Sequence, residues 1–440
     1  MLSFLRARGT LPRLLSTSWL LSATCLIALP CIAQRYGLSP NHHWRATYTN
    51  PLNLETGSGP AVSCPDPAII KQTLQGQDTW YLYCTGDPLN ASDVNAQGGL
   101  NAHLITQYKS YDLVEWTYIG DAFAQTPAWI GNATNQLWAP AVKHFNNQYY
   151  LYYVAPNTPS GFTAIGVATS ASPAGPWTDS GAPVVGPENN PYNNAPGRAV
   201  IDPDVVEDDA GQRYISYGSF NGGVSIRKLS ANGLTSDASS EQQIAVDNYY
   251  EGASFFKHGG DYYLFASTTN CCDGPLSGYS VRVGRAATPT GPFLDKNGVS
   301  LNTFAPGGTV SIAANGNRWV GPGGNVVFTD DSGQDYMLYH AVDMNASYFD
   351  GFPGATRRPA LIDPIVWVDG WPEVRGGAWA SAAAQPAPWN AQAVDCELPW
   401  SKPVGLAEAQ PPPAWATSWS WTTPNRNSPL PAAPSSSGRN

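Results

Sequence analysis

Three acidic side chains of this 440-residue chain stand at comparable points of separate sequence repeats. Asp66 opens "DPAIIKQTLQ", Asp202 opens "DPDVVEDDA" and Glu251 opens "EGASFFKHG". Each run is strand-like and leads through a turn into a second run rich in aromatic residues. A carboxylate at the head of an apolar strand has a plain explanation, because Asp before Pro opens turns by bonding its own backbone. Three of them gathered at one opening have another. Converging carboxyl groups in a weakly polar setting repel one another and resist ionisation, which raises at least one pKa. Hydrolysis of a glycosidic bond needs such a pair: a carboxylic acid that protonates the leaving oxygen and a carboxylate that activates water. A third acid then tunes the other two.

The elements that must position these acids are legible as a repeat. A turn followed by an aromatic strand occurs five times: "GQDTWYLYCT" from Gly76, "NNQYYLYYVA" from Asn146, "AGQRYISYGS" from Ala210, "GGDYYLFAST" from Gly259 and "SGQDYMLYHA" from Ser332. A strand-like run precedes each turn, so each is the second half of a hairpin. A second echo, "IGVATSASPAGPWTDSG" from Ile165 and "VRVGRAATPTGPFLDKNG" from Val281, supplies further strands, and "HLITQYKSYDLVEWTYIG" from His103 follows the same plan with Trp116. Blades of about four strands repeated five times predict an all-β, five-bladed β-propeller, with a jelly roll or sandwich as the competing architecture. In a propeller, equivalent positions of the repeats surround one axis. The hairpin heads are then Asp66, Ala139, Asp202, Glu251 and the glycines 321–324, so the three acids are expected around one end of the central channel. Asp204, Asp208 and Asp209 lack that equivalence and read as a strand neighbour and a polar turn.

Composition bounds the setting. Residues 1–33 read as a signal peptide, with Arg6, Arg8 and Arg13 before an apolar run and a small-residue cleavage site before Gln34. Its removal takes the formal net charge from −10 to −13, because three arginines and no acids leave with it. An acidic secreted chain with dispersed charge is a poor partner for nucleic acid or membrane. Five cysteines remain, Cys64, Cys84, Cys271, Cys272 and Cys396, in a compartment where disulfides persist. A Cys64–Cys84 bridge would tie the first strand to its hairpin partner; Cys271 and Cys272 form a vicinal disulfide that fixes a loop, or two free thiols. Glycosylation sequons begin at Asn90, Asn132 and Asn345. The propeller is expected over 34–377, and the Pro-, Ala-, Ser- and Trp-rich remainder, 378–440, is expected to be disordered. The tail's Trp415, Trp419 and Trp421 read as exposed residues without a catalytic role.

Other chemistries lack their residues. His42-His43 sits near the mature N-terminus and the other histidines are scattered, so metal-ligand spacing is absent and no metal ligands are assigned. There is no Gly-x-Ser-x-Gly elbow and no phosphate-cradling loop.

At these same residues the sequence resembles glycoside hydrolase family 43. "CPDPAII", "LWAPAVKHFNNQYYLYYV", "AVIDPDVVEDDAGQRYISYGS", "EGASFFKHGGDYYLFAS" and "GPGGNVVF" carry the resemblance in that order, from about Cys64 to Trp371. Within the family, "AIGVATSASPAGPWTDSG", "NCCDGPLSGYSVRVGRAATPTGPFLDKNG" and "DGWP" are similar to arabinan-degrading members, both endo-arabinanases and exo-arabinofuranosidases. The resemblance implies inverting hydrolysis of α-L-arabinofuranosyl bonds in plant cell-wall arabinan or arabino-oligosaccharides; the secreted chain is expected to be a monomer. It implies Asp66 as general base, Asp202 as the acid that tunes pKa and orientation, and Glu251 as general acid. Relatives often read Gly-Pro-Gly-His-Asn where this chain has Gly321-Pro322-Gly323-Gly324-Asn325. Their histidine is linked to a bound calcium; Gly324 argues against one here, and the hydrolysis requires no cofactor. Trp138, Asn325 and Arg357, or its neighbour Arg358, are the expected sugar contacts. A β-xylosidase of the same family and a carbohydrate-binding propeller without turnover are the alternatives.

Overall fold

The computed structural model describes residues 46–131 and 136–389. The signal segment, the sequon at Asn132, Cys396 and the tail's three tryptophans lie outside the described residues. Among the described residues the regular structure is strand, with three short 3-10 turns and no helix long and apolar enough to cross a membrane.

The five predicted hairpins are the inner halves of five blades. Their first strands are Ala68–Leu74, Trp138–Phe145, Asp204–Glu207, Tyr250–His258 and Trp319–Thr329. Their second, aromatic strands are Gln77–Cys84, Gln148–Ala155, Arg213–Ser219, Asp261–Thr268 and Asp335–Asp343. A third and a fourth strand follow outward in each sheet, all antiparallel. In the first blade, Asn53–Thr56 adds a parallel strand beyond Glu115–Asp121.

Alternation in the second strands explains the ring. Successive side chains of a strand point to opposite faces, so a sheet buried on both faces must be apolar throughout. Leu82, Tyr83, Leu151, Tyr152, Tyr153, Leu264, Phe265, Met337, Leu338 and Tyr339 are all fully buried. They feed five hydrophobic clusters, one between each pair of neighbouring blades, and the cluster around Trp80, Trp116, Phe328 and Ile362 joins the fifth blade back to the first. Burying each such side chain contributes roughly 1.5–3 kcal/mol. The Cys64–Cys84 disulfide lies inside the joining cluster.

The packed chain runs past the boundary expected at Gly377. Ala380 is buried, Trp319 Nε1 donates to the Ser381 carbonyl, and Gln385–Pro386 pairs with Thr47–Tyr48. Residues 378–389 therefore belong to the propeller rather than to a disordered tail, because they carry core side chains and a strand partner. The rest of the expected tail lies outside the described residues.

Every inner strand bears the same irregularity at its head. Asp66, Ala139, Asp202, Gly252 and Gly324 all have left-handed backbone, with φ of 51°, 40°, 55°, 56° and 53°. The pairing register jumps across three of them, between Trp138 and Ala141, Glu251 and Ser254, and Gly323 and Val326, which is a β-bulge. Asp and Gly suit this conformation better than most residues. The bulge corrects the expected equivalence of the three acids. Asp66 and Asp202 correspond to Gly252, so Glu251 stands one residue earlier, in register with Trp138.

A bulge takes backbone out of the ladder, and those amides find side chains on the neighbouring repeat. The Asp66 N–H donates to His340 Nδ1 of the fifth blade (3.2 Å), Ala139 N–H to Thr85 Oγ1 of the first (2.7 Å) and Gly324 N–H to Ser267 Oγ of the fourth (2.9 Å). Thr85, Ser267 and His340 hold the same place at the end of the second strand. The third blade has Gly218 there, and Asp202 Oδ2 takes the Gly252 N–H instead (2.8 Å).

Candidate active site

The bulge ring divides two cavities. One, about 380 Å³, is the channel between the inner strands. The other, about 280 Å³, opens above the ring and is lined by Asp66, Asp202 and Glu251 together with Trp138, Tyr279 and Arg358. Three acids from the first, third and fourth blades thus share one cavity despite the long stretches of chain between them.

Their surroundings differ. Asp66 Oδ2 accepts the Thr85 hydroxyl (2.7 Å), and Arg358 Nη1 lies 3.5 Å from the same oxygen. Arg358 also faces Asp87 at 3.3 Å. Despite burial, the charges of Asp87 and Asp66 hold the Arg358 pKa above its usual value. His340 Nδ1 lies 3.4 Å from Asp66 Oδ1. Burial lowers the His340 pKa to about 4, so the ring is neutral and Nδ1 is free to accept the Asp66 amide. Glu251 Oε2 accepts the Ser219 hydroxyl (2.6 Å), and the Tyr279 hydroxyl donates to Oε1. Burial pushes Glu251 up to about 7; Ser219 opposes the shift and the charge of Asp66 adds to it. Asp202 is pushed well above the usual carboxylate range, first by burial and then by Glu251 and Asp66. This is the pattern acid and base assignments require: one carboxyl held by a cation and a hydroxyl, another whose hold on its proton burial extends toward neutral pH.

The expected sugar contacts divide. Trp138 lines the cavity of the acids, its Nε1 donating to Gln136 Oε1 (3.1 Å). Asn325 does not: it lies below the bulge ring, in the channel, with Nδ2 3.3 Å from Ser254 Oγ. Arg357 does not either, since its Nε donates to the Ala346 carbonyl (2.9 Å) and it lines a separate pocket with Asn90 and Phe349. Adjacent residues of extended chain point to opposite sides. Arg358 is the one that faces the acids.

The side chains around Gly324 leave no room for the histidine that relatives carry there. A Cβ on Gly324 would stand 2.6 Å from both Asp66 Oδ1 and His340 Cε1, so the imidazole of His340 already fills that space. Calcium takes about six to eight oxygen ligands, and among the described residues no group of three or more His, Cys, Asp or Glu side chains is spaced to hold a metal ion.

Thr85, Ser219, Tyr279 and His340 were absent from the sequence-based site, and Arg358 entered it only as the alternative to Arg357. For three of them a signal exists: "YLYCT", "YISYGS" and "YMLYH" each end a buried aromatic run on a polar residue.

The family model described as glycosyl hydrolases family 43 matches residues 60–372. The chain is 33% identical over 362 residues to the extracellular exo-α-(1→5)-L-arabinofuranosidase of Cellvibrio japonicus, covering 76% of this chain and 93% of that protein. It is 31% identical over 315 residues to the extracellular endo-α-(1→5)-L-arabinanase 1 of Bacillus subtilis, covering 70% and 86%. Among solved structures, the Cellvibrio cellulosa α-L-arabinanase complexed with arabinohexaose is similar at a TM-score of 0.56 and 31% identity, over 71% of this chain and 96% of that one.

Proposed function

The chain belongs to glycosyl hydrolases family 43, and from that premise we propose that it is a secreted enzyme that cuts α-L-arabinofuranosyl bonds of arabinan by single displacement with inversion. The observation that carries this reading is the shared cavity of Asp66, Asp202 and Glu251, with Glu251 pushed up to about 7.

In this reading Glu251 enters as a carboxylic acid and gives its proton to the glycosidic oxygen as the bond to the anomeric carbon breaks. Asp66, held by Thr85 and Arg358, takes a proton from a water on the opposite face of the sugar. Room for that water requires the two carboxyl groups to stand roughly 6.5–9.5 Å apart. Asp202, raised by burial and by the charges of Glu251 and Asp66, adds a second carboxyl to the site that resists losing its proton. Burial of both carboxyls is what makes the proton hard to lose. Trp138 and Arg358 border the space the sugar ring would occupy. Secretion is supported by the basic and apolar pattern of 1–33 and by two relatives named extracellular.

The test is release of nitrophenol from α-L-arabinofuranoside against β-xyloside, with proton NMR of the first sugar anomer released. The arabinoside should be the better substrate and the anomer inverted. Asp66→Asn and Glu251→Gln should each lower turnover on the order of 10³-fold or more. Near-normal turnover in either variant, or retention of configuration, rules the assignment out.

A further inference from the structure

The loop over 269–279, which joins the second and third strands of the fourth blade, holds a feature that the hydrolysis above does not use. Cys271 and Cys272 are joined by a disulfide. A bond between neighbouring cysteines closes a small ring, so neither side chain rotates independently.

Cys271 lines the cavity of the three acids. Its Sγ lies 3.8 Å from Arg358 Nη1 and 4.0 Å from His340 Nε2. Those two side chains approach Asp66 at 3.5 and 3.4 Å, so the sulfur stands directly behind both partners of the proposed base. The loop is also stitched to the segment that bears the arginine. Thr356 Oγ1 donates to the Cys272 carbonyl (2.9 Å) and lies 3.1 Å from the Gly274 N–H that donates to it. At its far end the loop carries Tyr279, whose hydroxyl bonds Glu251.

We propose that the Cys271–Cys272 disulfide is a positioning element of the catalytic cavity, holding Arg358 against Asp66 and offering the sugar an uncharged wall, and that its reduction slows turnover; this rests on the arabinan-hydrolase reading. Reduction breaks the S–S bond and adds two electrons and two protons, giving two thiols while a dithiol or phosphine reductant is oxidised. The freed side chains then rotate separately. A Cys271 thiol beside a guanidinium ionises more readily than a free one. The thiolate competes with Asp66 for Arg358 and adds negative charge to a cavity that already holds three carboxyl groups. Access is selective, because Cys272 is exposed whereas Cys64 and Cys84 are fully buried.

The experiment uses the full-length protein before and after treatment with a trialkylphosphine, with alkylation and mass spectrometry to identify the cysteines opened. The expected result is labelling of Cys271 and Cys272 with Cys64–Cys84 intact. With it, kcat on nitrophenyl arabinofuranoside falls about tenfold or more while KM changes less, as for loss of an interaction that acts in the transition state. Reoxidation restores the rate. The Cys271→Ala/Cys272→Ala double variant is slow from the start and indifferent to phosphine. Unchanged kcat in the reduced protein, or a double variant that responds to phosphine like the parent, overturns the proposal. An untreated protein that cleaves no arabinofuranoside counts against the functional reading instead. The comparison is then made by calorimetric binding of arabinotriose, where loss of the uncharged wall should weaken binding in the reduced protein by about twofold or more, within the smaller KM change expected above, and equal binding overturns the proposal.

Discussion

Ser219 offers a measurable handle on the proposed general acid. Its hydroxyl donates to Glu251 Oε2 at 2.6 Å, a bond that favours the ionised carboxylate and so works against the burial that pushes Glu251 up to about 7. A hydrogen bond to a charged group contributes roughly 1.5–3 kcal/mol, and one pKa unit corresponds to about 1.4 kcal/mol. Tyr279 also bonds Glu251 and remains in place, so the lower end of that range applies. Ser219→Ala should raise the Glu251 midpoint by about one unit. A general acid must be protonated to act, and kcat/KM reports the free enzyme. The alkaline limb of kcat/KM on nitrophenyl arabinofuranoside, expected near 7 in the parent protein, should therefore move up to about 8. The rate at the optimum should fall modestly, since a weaker acid donates less readily. Ser219→Thr keeps a hydroxyl and should keep the parental limb. An alkaline limb that stays in place or moves down in Ser219→Ala refutes the reasoning.

Three further outcomes are expected. His103 lies 2.7 Å from Asp93 and 3.0 Å from Asp121; burial alone would lower its pKa, but bonds to and charges of the two carboxylates raise it to about 9. That pKa is above the unfolded value near 6.5, so the triad's contribution, up to about 3 kcal/mol, is fully present below 6.5 and is lost as pH rises through about 9. Urea midpoints should fall across that window in the parent and stay flatter in His103→Gln. Gly324→Ala places a Cβ against Asp66 and His340 at a φ of +53°, and should cost on the order of 1–3 kcal/mol in thermal unfolding together with activity. Expressed in a glycosylating host, the protein should carry glycan at exposed Asn345 and none at Asn90, whose side chain is buried against Ser58 and Pro60; peptide mapping after deglycosylation in heavy water checks both.

The propeller was legible because its second strands are buried on both faces, which forces continuous aromatic runs that no helix or half-exposed strand would show. The acids were legible because Asp66 and Asp202 share an Asp-Pro step. Glu251 was placed in the right cavity on an equivalence that is off by one, since a bulge adds a residue without leaving a mark in the residue types. Arg357 and Arg358 could not be told apart for a related reason: alternation fixes that they diverge, and only the register of the strands around them fixes which one turns inward. Asn325 follows the left-handed Gly324 as Pro67 follows Asp66, so it inherits a place in the channel. Residues 378–389 read as tail because composition reports local preference, while their order comes from Thr47–Tyr48 and the fifth blade.

The amide of one blade's bulge resting on a side chain of the blade before it has a consequence for recombination. A blade lifted from a relative would bring its own left-handed residue but leave behind the threonine, serine or histidine of the preceding blade on which its own amide rests. Chimeras that swap whole blades should therefore lose catalytic geometry at the recipient junction even where the cores match. Crossovers placed in the turn between first and second strands, so that each bulge travels with its acceptor, should keep it.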